Sequence, residues 1–138
     1  MLLLDTNVLS ALIEPLPPAP VRDWIVGQRR ELLVTAATCQ AEILAGLAIM
    51  PRGRRRRELE RAAHMMFSED FGGRVPPFNS PAAKAYAHIF AIRRRAGRPV
   101  AEMDLMIAAI ALAHDADIVT RNVADFEGCG VALINPWD

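Results

Sequence analysis

Residues that commonly carry chemistry are scarce in this chain, and each shortage closes off a class of function. Its only two cysteines, Cys39 and Cys129, stand alone without metal-ligand spacing, which argues against a disulfide-stapled fold and against a zinc cluster. Three serines and three histidines occur without a nucleophile elbow. His64, His88 and His114 fall in predicted helices and read as packing or surface residues. No glycine-rich phosphate loop of either common pattern is present, so nucleotide binding of those kinds is not expected. No apolar run reaches membrane-spanning length, and the first residues carry neither a basic region nor a small-residue cleavage site. No membrane association is expected, and the expected location is the cytoplasm.

Net charge is missing too. Sixteen acidic residues balance sixteen basic ones, so no global field draws the chain toward nucleic acid. The distribution is more informative than the sum. Every basic residue except Lys84 is arginine, with clusters at Arg52–Arg57 and Arg93–Arg98. Such runs fit solvated helix faces, and the guanidinium fork also suits phosphate oxygens. At 138 residues and 52% hydrophobic content, the chain is expected to form a single domain, 1–138, that buries a continuous core without staples.

Apolar segments alternate between strand-like and helix-like patterns. Met1–Leu4 is an unbroken apolar run ending at Asp5, as suits a strand buried on both faces, and Thr6 or Asn7 opens a helix through Val8, Leu9, Leu12 and Ile13. A proline-rich connector at Pro15–Pro20 precedes a short helix, with Val21, Trp24 and Ile25 on one face. Glu31–Thr35 reads as a second strand, and Thr35 or Thr38 caps a helix over Cys39–Met50, striped with Ile43, Leu44, Leu47 and Ala48. A helix from Arg54 to about Phe71 ends at Gly72-Gly73, and Arg74–Phe78 is expected as an edge strand because its prolines remove ladder donors. Ser80-Pro81 starts a helix that stops at Gly97. Ala101–His114, apolar all round beyond its first turn, predicts a central buried helix. Met65-Met66, Met103 and Met106 read as core fillers. Strands at Asp117–Thr120 and Val131–Ile134 bring the count to about five, in an α/β fold: a three-layer α/β/α sandwich with a parallel sheet.

Ligand crevices in open α/β sheets lie outside the carboxyl ends of the strands. Asp5 ends the first strand, and Glu42 lies in the first turns of the helix after the second. Asp104 precedes an apolar helix interior whose amino end points to the same rim. Each has a plain alternative, since Asp5 can cap a helix and Asp104 can neutralise a helix amino end. If the three meet, their charges raise one another's pKa unless a cation sits among them, and oxygen-only ligands favour Mg²⁺ or Mn²⁺. After the fourth strand, Asn122 and Asp125 offer further oxygens, although Asp125 also suits a turn that bonds its own backbone.

Leu4-Asp5-Thr6-Asn7-Val8-Leu9, Glu42, Asp104-Leu-Met-Ile-Ala-Ala109, Thr120-Arg121-Asn122 with Asp125-Phe126, and Asn135-Pro136-Trp137 together resemble the PIN-domain proteins. They are most similar to the VapC/FitB-type toxins of type II toxin–antitoxin modules. The resemblance covers essentially the whole chain. It implies a Mg²⁺- or Mn²⁺-dependent ribonuclease acting on single-stranded or looped RNA such as tRNA, rRNA or mRNA. Asp5 and Asp104 would be metal ligands, and Glu42 the third acid of a catalytic set completed by Asn122 and Asp125. Thr6, Asn7, Thr120 and Arg121 would contact substrate. It further implies a homodimer and a VapB/FitA-type antitoxin, whose tail lies near the first helices and the Met50–Arg57 hairpin. Asn122 departs from the fullest pattern, where many relatives carry a fourth Asp, which bears on whether one metal or two is held. Two rivals stand beside this reading: an acid-rich phosphatase or phospho-acceptor domain, and a binding module whose acids only cap helices. The first would want an acid where Asn7 stands, or a lysine at the site.

Overall fold

The computed structural model describes all 138 residues. In chain order the elements are β1 (Leu2–Leu4), α1 (Thr6–Leu12), α2 (Ala19–Val26), β2 (Leu33–Val34), α3 (Ala37–Ala48), α4 (Arg54–Met65), α5 (Ser80–Arg95), α6 (Glu102–Ala113), β3 (Asp117–Val119), α7 (Val123–Phe126) and β4 (Leu133–Ile134). All strand pairs are parallel, in the order β2-β1-β3-β4, with Leu2 opposite Leu33 and Asp117, and Ile118 opposite Leu133. Successive strand residues point to opposite faces, yet Leu3, Leu4, Ile118 and Val119 are all buried. Helices therefore cover both faces, giving the expected α/β/α layers. No helix is long and apolar enough to cross a membrane.

The sheet places one crevice. From β1 the chain moves outward to β2, then crosses back to β3 on β1's other side and continues to β4. β1 and β3 are thus neighbours at the point where the strand order reverses, which is where open α/β sheets place a crevice outside the carboxyl ends. α6 is buried along most of its length, at Leu105 and Ile107–Ala111.

Four strands form where five were expected. Arg74–Phe78 does run beside the end of β2, accepting backbone hydrogen bonds from Thr35 N at Arg74 O and from Ala37 N at Pro76 O. Pro76 and Pro77 have no N–H to return, so no ladder develops. The helix expected through Phe71 stays α-helical only to Met65, then widens into a π turn over Met66–Asp70. Caps also differ. Asp5 itself, not Thr6 or Asn7, caps α1. Ala36 precedes α3 without a side-chain cap bond, and Asn79, not Ser80, accepts from Ala82 N at the start of α5. Leu44, Met65 and Met103 are exposed rather than in the core.

The two arginine clusters differ in their surroundings. In the first, Arg54 and Arg56 pair with Glu58 and Glu60 at 2.9 and 2.7 Å, and Arg55 pairs with Glu14 at 2.9 Å. Most of that run is locally neutralised and makes a poor phosphate patch. In the second, Arg93 is only 7% exposed and donates to the Glu127 backbone carbonyl.

Candidate active site

Asp5 is 4% exposed at the junction of β1 and β3, and its backbone N–H donates to Val119 O at 2.9 Å. Its carboxylate is fully engaged on the sheet side. Oδ1 accepts from Thr6 N at 2.8 Å, while Oδ2 accepts from the Thr120 hydroxyl at 2.8 Å and from Asn7 Nδ2 at 3.0 Å. Capping and a poised carboxylate are therefore compatible readings of the same residue. Asn7 Nδ2 also lies 3.2 Å from Thr120 Oγ1, and Asn7 Oδ1 accepts from Arg121 N at 3.1 Å. Thr120 Oγ1 accepts from Asn122 N at 3.0 Å, so the loops after β1 and β3 are joined through Asp5.

Glu42, half-buried on α3, is drawn in by Thr6, whose hydroxyl donates to Oε1 at 2.7 Å. Thr35 lies beneath, donating its hydroxyl to Leu4 O at 2.8 Å rather than capping α3, and Thr38 Oγ1 is buried without a partner. Asp104 stands in the first turn of α6, and Asp125 lies exposed on α7. Asn122 precedes α7 without capping it through its side chain.

The electrostatics tie the acids together. Burial holds the Asp5 carboxyl above its usual range, against the lowering effect of the Thr120 and Thr6 hydrogen bonds, and the charge of Glu42 raises it further. The Asp104 carboxyl is pushed up to about 6, first by burial and then by the negative charges of Asp5, Asp125 and Glu42. No arginine, lysine or histidine forms an ion pair with either carboxylate. Cys39, packed below, has its thiol pushed up to about 12 by burial and by Asp5, so it stays neutral. The charges of Asp5, Glu42 and Asp125 thus all act on Asp104, but no three acidic, cysteine or histidine side chains are grouped closely enough to grip an ion as they stand. The donor set is all oxygen and carries uncompensated negative charge, which fits a hard divalent cation.

Thr6, Asn7 and Thr120 sit inside the hydrogen-bond network rather than facing outward as substrate contacts alone, and Arg121 is exposed. The sequence reading gave no role to Trp137 beyond a tail motif, yet the Arg121 guanidinium lies over its ring at 5.1 Å. The signal available was an aromatic residue following the strand next to β3.

The PIN domain family matches over residues 2–127. The chain is 41% identical to plasmid stability protein StbB of Pseudomonas syringae pv. tomato, covering 100% of this chain and 99% of the relative. It is 38% identical to VapC ribonuclease Y4jK of Sinorhizobium fredii, with the same coverage. The crystal structure of FitAcB from Neisseria gonorrhoeae superposes with a TM-score of 0.91 at 34% identity, covering 99% of each chain. By full-length similarity and by fold, the chain belongs to the PIN-domain family, within its VapC/FitB group.

Proposed function

We propose that this chain is the toxin of a type II toxin–antitoxin module, a single-domain Mg²⁺- or Mn²⁺-dependent endoribonuclease. The observation that carries the proposal is the network that fixes buried Asp5 through Thr6, Asn7 and Thr120 and ties Glu42 to the same rim through Thr6, with Asp104 close enough to feel the charges of Asp5, Asp125 and Glu42. Asp5 and Asp104 would hold the cation, with the Asn122 carbonyl oxygen and Asp125 as outer partners. Held there, a divalent ion would supply a lowered pKa for water and charge neutralisation at the phosphoryl oxygens. Glu42 has one carboxylate oxygen fixed by Thr6, which leaves the other to orient the attacking water and accept its proton. Asn7 and Thr120 keep Asp5 rotationally fixed, and Arg121 would contact the RNA.

Further support comes from the relatives, one named a VapC ribonuclease and another the toxin FitB of Neisseria gonorrhoeae. The structure of FitAB bound to a DNA fragment matches this fold with a TM-score of 0.92 at 33% identity, and it motivates an antitoxin partner here. The antitoxin tail would lie near the first helices and the Met50–Arg57 hairpin, where Leu12, Ile13, Arg55, Leu59 and Ala62 line a groove. A homodimer in the cytoplasm completes the proposal. The phosphatase alternative is disfavoured because Asn7, in the position where it needs an acid, spends its amide on Asp5 and Thr120.

Purified protein incubated with total tRNA or rRNA tests the activity. Discrete cleavage that needs Mg²⁺ or Mn²⁺ and stops with chelator or Asp104→Asn is expected. Full cleavage by Asp104→Asn overturns the assignment.

A further inference from the structure

Arg121 and Trp137 follow adjacent strands, β3 and β4, on the flank of the cleft away from β2. The guanidinium carbon lies 5.1 Å from the indole centroid, and the Arg121 side chain makes no hydrogen bond or ion pair. Its backbone is nevertheless fixed, because Arg121 N donates to Asn7, whose amide holds Asp5. Trp137 is fixed as well. It packs partly against the core, and Trp137 N donates to Asn135 Oδ1 at 2.9 Å.

We propose that Arg121, lying over the Trp137 ring, forms a stacking subsite for one unpaired nucleobase of single-stranded RNA beside the acid cluster. This rests on the ribonuclease reading and names the side chains by which the site would hold an unpaired base. A guanidinium lying on an aromatic ring is a weakly hydrated plane whose outer face is open to a second π surface. Unpaired bases stack on such planes, whereas bases in an A-form duplex present no free face. The indole pre-orders the long arginine side chain, so less rotamer freedom is lost when RNA arrives. A phosphate contact alone would need charge and reach, and a lysine would supply both.

The test uses full-length protein carrying Asp104→Asn, so that binding is read without cleavage, and a fluorescein-labelled single-stranded RNA of about a dozen nucleotides, followed by anisotropy. Added to that protein, Arg121→Lys and Trp137→Leu are each expected to weaken binding about fivefold or more, the scale of one lost base stack. Trp137→Phe should retain most of the affinity. Tryptophan fluorescence should be quenched by RNA, and the quench should survive Trp24→Phe but vanish with Trp137→Phe. The same RNA annealed to its complement should bind weakly, without sensitivity to either residue. If Arg121→Lys binds as tightly as Arg121, charge alone suffices and the stacking subsite is wrong, while the ribonuclease reading stands. If the Asp104→Asn protein binds no RNA and the unsubstituted protein cleaves none, both are overturned.

Discussion

An ionised carboxylate at position 104 sits among the charges of Asp5, Asp125 and Glu42. Its pKa is raised to about 6 from 3.8, so between these values the folded chain binds more protons than the unfolded one. Stability therefore falls as pH rises through that window and stays reduced above it. Asp104 is only partly buried, so solvent screening reduces the effect to roughly 1 kcal/mol. Without divalent metal, Asp104→Asn is expected to raise Tm at neutral pH by a few degrees, and the gain should disappear near pH 4. Unchanged melting in calorimetry at both pH values would contradict this. Thr120 makes the complementary case. Its hydroxyl is fully buried and donates to Asp5 Oδ2, so Thr120→Val leaves that carboxylate short of a donor and should cost about 1–3 kcal/mol in urea unfolding. Hydrogen bonds of this kind were invisible in the sequence. A threonine after a strand has no pattern that announces which distant acid it will face.

Among the elements, α6 was the most legible, because an apolar surface on every side has only one place to go. Its buried alanines, Ala108, Ala109 and Ala111, show how closely the neighbouring layers approach. Ala109→Leu should overpack that space and cost about 1–3 kcal/mol, read as a lower urea midpoint with an unchanged slope. Strand edges and helix ends were less legible, for identifiable reasons. Pro76 and Pro77 signal an edge position correctly, yet the same missing donors prevent the strand from forming. At Asn79-Ser80 either residue can cap, and the choice depends on backbone angles that composition does not encode. Arg93 had the look of a solvated run, and only the packed α7 turn above it shows why it is buried.

For the molecule as a whole, neutrality conceals a division of labour. Glutamates neutralise much of the Arg52–Arg57 run, while the β1/β3 cleft gathers acids that have no basic partner. The gathering of residues as distant as 5, 42 and 104 was legible only through topology, since strands of a parallel sheet all end on one rim. Their separation was not legible, and without an ion they stop short of a closed ligand cage. Binding of a hard cation at this rim is the central claim. It is tested by a Mn²⁺ titration of the melting temperature, followed at about pH 7.5 and again at about pH 5. A saturable rise at the higher pH is predicted, lost in Asp104→Asn and much reduced at the lower pH, where the Asp104 carboxyl carries a proton. No rise at either pH, or an equal rise in Asp104→Asn, would contradict it.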